Sequence, residues 1–530
     1  MYSASQQGKG AATSQPTIFP ARKRRFTPYV LVGILILAAG LRLWGAFYDL
    51  PYIFHPDEPV NIDSIQNMIV NGDANPHDFR YPALMYDVDA VVGGLYFKTH
   101  SVLTGTPISL HPPLSIAMGS TYAPSADAVV VFRTVTICAG LLAVLVTFFV
   151  GGRVFGHDAG VGAALLVAIS PILVAEGRFV TPDTWVVLFS LLTILWAVRI
   201  VQSGQLSAYV LSGIAIGATA AAKYNGAIVC VAVVAAHFVH YGVNPREWWR
   251  LAFSGAVSIL AFIAVMPFAI LDFHGFMEGW TRQVGIYGTR HDGMEGNALF
   301  WYLSELWSTC GVAIILAICE LIRLARAKEA LPLVAVCFGV LYLLFIGMFN
   351  LRNDRTLLPV VPCVALLASS FIVFLWSKQS ALLRVSPTVR SLALIALGVA
   401  LVVTPLRVVI ERTLNLTRID SRTTAREWIN SNLPEHSRVA VESYSPYVDP
   451  ARFSIFQSER AIDHAADWYA DNGIEYVVLS QGLFGRYFTD PQRHAAEILR
   501  YQTLMRSLTL VRAFDDGGYS VLVYRTGTNG

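Results

Sequence analysis

Long apolar runs separated by short polar ones dominate the first four fifths of the chain. They fall near residues 28–48, 127–150, 159–175, 183–201, 207–222, 226–242, 250–271, 298–322, 331–349, 356–376 and 391–410. About 20 such residues in an α-helix cover a hydrocarbon core of about 30 Å, so the pattern predicts about eleven transmembrane helices. Tyr81 to Phe97 is also apolar, but Asp87 and Asp89 interrupt it. Carboxylates are costly at mid-bilayer, and the segment reads as a helix lying at the interface. The first run carries no small-residue cleavage site and continues into a loop, so a cleaved signal peptide is not expected.

Past residue 410 the apolar runs shrink to strand length and charges return. Ser421 to Asn432 reads as a capped amphipathic helix and Pro491 to Leu508 as a second helix. Arg438 to Glu442, Glu475 to Ser480 and Tyr519 to Arg525 read as strands. The expected fold class is an α-helical polytopic membrane protein with a small C-terminal α/β domain. Its expected divisions are a polar tail over 1–27, a transmembrane domain over 28–410 with a long first loop at 49–126, and the α/β domain over 411–530.

Composition agrees with embedding. Of the 530 residues 55% are hydrophobic and 14% charged, against roughly a quarter charged in a soluble domain. The net charge of +3 gives no footprint for nucleic acid, and the charges are sorted by side instead of gathered in a patch. Arg22, Lys23, Arg24 and Arg25 precede the first run. Every second short loop after it is basic: Arg153, then Arg199, then Arg246 and Arg250, then Arg323, Arg326 and Lys328, then Lys378, Arg384 and Arg390. By the positive-inside rule these are cytoplasmic, which places the amino terminus inside and the segments 49–126, 272–297, 350–355 and 411–530 outside the cell membrane. Cys138, Cys230, Cys310, Cys319, Cys337 and Cys363 fall in or beside apolar runs. They form no disulfide or zinc-finger spacing and read as small buried apolar residues.

Polar residues gather at the outer ends of the runs. Phe54-His55-Pro56-Asp57-Glu58-Pro59 holds two adjacent carboxylates between prolines. Such a pair is either a solvated loop feature or, fixed at the membrane surface, a general base for an acceptor hydroxyl. Further outer ends carry Glu176-Gly177-Arg178-Phe179-Val180-Thr181-Pro182-Asp183, Lys223-Tyr224-Asn225-Gly226 and Asn350-Leu351-Arg352-Asn353-Asp354-Arg355. Cations there run against the positive-inside bias; they either snorkel to lipid headgroups or hold a phosphate. Arg42 and Arg133, near the outer ends of spans, are expected to pair with carboxylates. Loop 272–297 contributes His274, Glu278, Arg282, Tyr287, Arg290, His291, Asp292 and Glu295, a mixture suited to a substrate cavity or, with its glycines, to a flexible cover. No paired-histidine metal motif, P-loop or dinucleotide fingerprint occurs in a suitable context.

As an ordered set these motifs resemble the C-type glycosyltransferase superfamily, in particular the bacterial branch related to protein O-mannosyltransferases and lipid A aminoarabinose transferases. The resemblance rests on Asp57-Glu58, Arg80-Tyr81-Pro82, Ser170-Pro171 leading to Arg178-Phe179 and Thr181-Pro182-Asp183, Lys223-Tyr224-Asn225-Gly226, and Arg355-Thr356-Leu357-Leu358-Pro359. It covers roughly 28–375. It implies transfer of a sugar from a polyprenyl-phosphate carrier, usually with inversion, to an acceptor outside the cytoplasm, which could be a lipid, a polysaccharide or a protein, with membrane lipids as surroundings. On that resemblance Asp57 is the general base and Glu58 assists; Lys223, Arg355, Arg178 and Arg352 hold the phosphate. His55, Arg80, Tyr81, Asp183, Tyr224, Asn225, Tyr287 and Arg290 line the cavity. No cofactor is expected; were a divalent cation used, Asp57, Glu58 and Asp183 would be its ligands. The sequence departs from the pattern at Asp87 and Asp89, and at Asn353-Asp354 where an aromatic residue often stands. A transporter or lipid-linked sugar flippase is the alternative; it calls for polar residues on broken helices near the midplane.

Overall fold

A computed structural model describes residues 27–289, 294, 296–377 and 387–527. Every predicted run is helical. In order come α1 (Thr27–Leu43), α2 (Glu58–Asn71), α3 (Leu84–Thr104), α4 (Ala126–Val154), α5 (His157–Ala168), α6 (Pro171–Glu176), α7 (Asp183–Ser203), α8 (Leu206–Ala222), α9 (Cys230–Tyr241), α10 (Trp248–Val265), α11 (Phe268–Leu271), α12 (Phe273–Gly288), α13 (Ala298–Cys310), α14 (Val312–Ala327), α15 (Ala330–Ile346), α16 (Val361–Ser377) and α17 (Pro387–Leu416). Among the described residues six helical segments are long and apolar enough to cross a membrane, or seven with α13 and α14 counted as one; α1, α5, α8 and α15 are apolar but shorter. The chain is therefore a polytopic, mainly helical membrane protein.

The run 250–271 is broken at Met266 and Pro267, between α10 and α11, and two further runs read as single helices are broken as well. The run 159–175 stops at Ser170, whose backbone is extended (φ −65°, ψ 124°) before Pro171, because the proline ring disfavours the helical conformation for its predecessor. The run 298–322 turns by 109° between α13 and α14 at Gly311, which sits at φ +51°, a conformation open to a residue without Cβ. These last two breaks meet around a void of about 30 Å³ lined by Ser170, Thr309, Cys310 and apolar side chains, without a carboxylate or a basic group.

Small residues set the closest helix contacts, as expected where lipid supplies no hydrophobic drive between helices. Gly213 and Gly217 of α8 face α10, where an added Cβ would lie 2.6 Å from the Ser254 carbonyl oxygen and 2.5 Å from that of Ser258. Cys363 is buried and Cys310 and Cys337 partly so, but Cys138, Cys230 and Cys319 are exposed on helix surfaces. The expectation of burial fails there because an outward helix face needs only apolarity.

The first loop is more ordered than its sequence suggested. Asp57 is the N-cap of α2 and Glu58 its first residue, with Pro59 in the opening turn, where a missing N–H costs nothing. The loop also holds a three-stranded antiparallel sheet of β1 (Tyr52–Ile53), β2 (Leu114–Ala117) and β3 (Ser120–Tyr122), in the order β1-β3-β2. Within segment 272–297 the residues 273–288 form the helix α12, and Asp272 caps it by accepting from Gly275 N at 3.2 Å.

After α17, which runs six residues past the expected boundary at 410, the tail forms a five-stranded sheet in the order β5-β4-β6-β8-β7. Its strands are β4 (Arg438–Val441), β5 (Ser454–Gln457), β6 (Tyr476–Ser480), β7 (Thr509–Phe514) and β8 (Val521–Arg525), flanked by helices Ser421–Asn432 and Ala495–Ser507. β4 runs parallel to β5 and β6, and β8 antiparallel to β6 and β7. The edge strands β5 and β7 had no sequence expectation: both are largely solvent-facing and lack an alternating pattern. Ile116 and Ala117 of the first loop share one core with Ile429, Val439, Val478 and Val523 of the tail.

Candidate active site

Four charged side chains from four separate outer-end motifs meet at one end of the helix bundle. Lys223 is the C-cap of α8, and its extended backbone (φ −155°, ψ 133°) turns the side chain off the helix toward Asp183 at the start of α7. Lys223 Nζ lies 2.8 Å from Asp183 Oδ1. Arg355 Nε approaches Asp183 Oδ2 at 3.9 Å, and the same guanidinium donates to the Asp57 carboxylate. The result is a ladder of alternating sign, Asp57, Arg355, Asp183, Lys223. Burial opposes ionisation of Asp57, but the Arg355 guanidinium beside it outweighs that and holds the carboxyl below its ordinary value. Glu176 stands near the ladder, and burial first, then the charge of Asp354, raises its carboxyl to about 8.

Asp57 is aimed by local structure. His55 Nδ1 accepts from the backbone N–H of both Asp57 and Glu58 at 3.3 Å, which fixes the ring as the neutral Nε2–H tautomer. The ring also packs on Phe179, with centroids 4.5 Å apart. Burial pulls the His55 pKa below its ordinary value, against the pull of Glu58.

Beside the ladder opens a cavity of about 270 Å³ whose lining includes Arg80, Tyr81, Lys223, Tyr224, Asn225 and Tyr287. Five expected cavity residues and the expected phosphate ligand Lys223 thus share one chamber, whereas His55 and Asp183 lie outside its lining, beside Asp57 and Lys223. Arg80 is held by Asp78 at 2.8 Å, Tyr224 donates to the Phe79 carbonyl at 3.1 Å, and the Tyr81 ring faces Lys223 Nζ at 5.9 Å. Asn225 Oδ1 is buried without a hydrogen-bond partner among the described residues. Thr356, from the Arg355 motif, also lines the chamber, as do Trp280, Gln283 and Tyr302, which no motif marked. Trp280 and Gln283 follow the face of α12, a helix that the glycines of that segment concealed. Tyr302 lies inside an apolar run and bears no outer-end signature.

Three expected site residues are placed elsewhere. Glu58 is fully buried and receives Arg133 Nε at 2.8 Å, Arg133 Nη2 at 2.7 Å and Val180 N at 3.1 Å. Its carboxylate closes a structural pair and does not face the cavity. Arg133 therefore meets the expected carboxylate, whereas Arg42 donates to the carbonyls of Ala38 and Ala168 instead. Arg178 turns into the protein and donates to Leu41 O and Thr413 Oγ1, each at 2.7 Å. Arg352 is 7% exposed and lies over the Trp301 ring at 5.6 Å, outside the cavity wall. Arg290, with His291, Asp292 and Glu295, lies outside the described residues.

The three carboxylates named as ligands for a divalent ion face separate basic side chains. Each is turned to a different cation, Asp57 to Arg355, Asp183 to Lys223 and Glu58 to Arg133, and among the described residues no group of three His, Cys, Asp or Glu side chains converges on a point.

Residues 119–271 match the family model described as dolichyl-phosphate-mannose-protein mannosyltransferase. No curated relative matches the sequence. The fold is similar to that of the Archaeoglobus fulgidus oligosaccharyltransferase in the apo form, with 13% identity and a TM-score of 0.54 over 96% of this chain and 75% of that one. It is also similar to archaeal oligosaccharyltransferase AglB from the same organism, in complex with an inhibitory peptide and a dolichol-phosphate, with 12% identity and a TM-score of 0.52 over 95% and 75%. ArnT from Cupriavidus metallidurans bound to undecaprenyl phosphate is similar over 95% of this chain and 99% of its own, with 16% identity and a TM-score of 0.51. The part of the chain that supplies Asp183 and Lys223 is thus similar to that mannosyltransferase family, and the fold is shared with these solved structures over nearly the whole of this chain.

Proposed function

We propose that this protein transfers a sugar from a polyprenyl-phosphate carrier to an extracytoplasmic acceptor with inversion. The observation that carries the reading is the convergence of Asp57, Asp183, Lys223 and Arg355 beside a chamber walled by Tyr81, Tyr224 and Tyr287. A lipid-borne donor must present its phosphate and sugar at the membrane surface while its tail stays in the bilayer. The charge pattern supports placing this end of the bundle, and the tail with it, outside, with about eleven spans and the amino terminus in the cytoplasm. Two of the similar structures named above hold undecaprenyl phosphate or dolichol-phosphate, which supports a carrier of that chemistry here. The chamber, about 270 Å³, lies just below the usual range of small-molecule pockets and has room for a sugar ring.

In the proposed step the donor phosphate takes Lys223 and Arg355 as partners, and Arg355 leaves Asp57. The acceptor hydroxyl gives its proton to the Asp57 carboxylate while its oxygen bonds to the anomeric carbon from the face opposite the phosphate. The carbon–oxygen bond to the phosphate breaks, and its electron pair leaves with the carrier. Lys223 and Arg355 stabilise the charge that develops there. No step runs through a metal. A transporter reading gains nothing from the helix breaks at Ser170 and Gly311, whose lining carries no carboxylate or basic group.

The test is the membrane-embedded protein incubated with a panel of polyprenyl-phosphate sugars, with release of free carrier phosphate followed by mass spectrometry. Asp57→Asn should lower turnover by about 10²–10⁴-fold, the range for loss of a positioned base. Parental turnover in that variant would end the assignment.

A further inference from the structure

The segment that delivers Asp57 has little stiffness of its own. β1 is two residues long, pairs only with β3, and is followed by Phe54, His55 and Pro56. The support on its other side comes from the tail, more than 350 residues later. The Arg422 guanidinium lies 3.7 Å from the centre of the Phe54 ring, and the Arg426 guanidinium 3.8 Å from that of Tyr52. Tyr447 packs on Tyr52 and Tyr122 at 5.9 and 5.7 Å, and Tyr444 N donates to the Met118 carbonyl at 2.6 Å.

The direction of Arg422 is set within the tail. Its Nε and Nη2 each reach the Asp420 carboxylate at 2.8 Å, and Asp420 also accepts from Arg422 N at 2.8 Å to cap the helix Ser421–Asn432. Gly518, at φ +67°, leaves room for that carboxylate; a Cβ there would fall 2.3 Å from Asp420 Oδ2. An arginine aimed by its own segment and pressed on an aromatic ring of another transmits position through packed contacts, here from Asp420 through Arg422, Phe54 and His55 to Asp57. Cation–π contacts of this kind strengthen when desolvated; Arg422 is 6% and Phe54 7% exposed.

We infer that Arg422, seconded by Arg426, is a positioning residue for the Asp57 loop, so that the tail is part of the scaffold of the transfer site. The consequence for rate rests on the reading of Asp57 as base; the consequence for the loop does not. Amide hydrogen exchange of the full-length protein separates the two. In Arg422→Gln the peptide covering 52–62 should exchange about tenfold faster, with peptides over 438–441 and 476–480 unchanged, because local opening is limited to the loop. Arg422→Lys keeps the charge and should restore most of the protection.

Unchanged exchange over 52–62 overturns the inference, and so does equal loss of protection across the tail strands, which would make the arginine a residue of tail folding only. If Arg422→Gln does not accumulate, Phe54→Leu removes the ring face from the loop side and must give the same local acceleration. In the transfer assay Arg422→Gln should lower kcat about tenfold with the donor KM unchanged, the signature of a displaced catalytic group. Parental transfer by Asp57→Asn would sink the choice of base while leaving the exchange result to decide the role of Arg422.

Discussion

The pair of Glu58 and Arg133 sets up the sharpest contrast available at this site, because two adjacent carboxylates are assigned opposite roles. Both side chains are at most 1% exposed. The Glu58 carboxylate receives three hydrogen bonds, two from Arg133 and one from Val180 N. Glu58→Gln preserves shape but leaves the guanidinium buried without a counter-charge, with only neutral acceptors, the new amide oxygen and Ala46 O at 2.7 Å. Breaking a buried ion pair from one side costs about 3–5 kcal/mol. Three bonds to charged groups, at about 1.5–3 kcal/mol each and less what the amide retains, give a similar figure. A loss of that size lowers the ratio of folded to unfolded protein by about 10²–10⁴. The assay is twofold: yield and thermal inactivation of the solubilised protein, and donor turnover per folded molecule. Glu58→Gln should be poorly recovered yet turn over within a few-fold of the parent, while Asp57→Asn should be well recovered and inactive. The double variant Glu58→Leu with Arg133→Met should regain most of the lost stability, since apolar replacement of a buried pair is often neutral or better. A Glu58→Gln protein that melts like the parent but turns over about a hundredfold slower would refute the structural assignment and return Glu58 to the chemistry.

Lys223→Met removes the cation nearest Asp183 and one of two phosphate partners, so turnover should fall by about 10²-fold and donor KM should rise; initial rates against donor concentration measure both. Gly217→Leu forces a side chain against the Ser258 carbonyl, where even a Cβ would lie at 2.5 Å, and should cost about 3 kcal/mol or more because the obstacle is backbone; monodisperse yield in gel filtration reports it. His55 is held neutral with its pKa lowered by burial, so the unfolded chain takes up the proton first as pH falls below about 6.5. The stabilisation it provides is complete above that value and is lost as pH drops through the lowered folded value. The difference in melting temperature between the parent and His55→Asn should therefore shrink from pH 7.5 toward pH 5, and a difference independent of pH would refute it.

Much of this was legible because the dominant forces are additive along the chain. Hydropathy located every apolar helix, since burial in lipid rewards each apolar residue irrespective of its partner. Capping and alternation located the helix Ser421–Asn432 and strands β4, β6 and β8. What sequence could not show was which partner each polar group finds. Asp57 and Glu58 are neighbours in a loop-like string, yet the step of about 100° between adjacent positions at a helix start sends Glu58 inward to Arg133 and leaves Asp57 on the ladder. Arg178 resembled a phosphate ligand, but its position after α6 points it at Leu41 and Thr413. The breaks at Pro171 and Gly311 were signalled by their residue types and overridden in the reading by unbroken hydropathy. Trp280 was hidden because the glycines of α12 lower its helix propensity, which the Asp272 cap and aromatic contacts offset.

The ladder of Asp57, Arg355, Asp183 and Lys223 holds two negative and two positive groups. In the proposed reaction a donor diester brings one negative charge and a released carrier monoester brings up to two, and the proton taken by Asp57 makes up the difference within the pocket. Turnover then requires no ion to enter during bond exchange. It does tie departure of the spent carrier to proton loss from Asp57, so an alkaline medium should hasten the discharge of product and an acidic one should hold it in place.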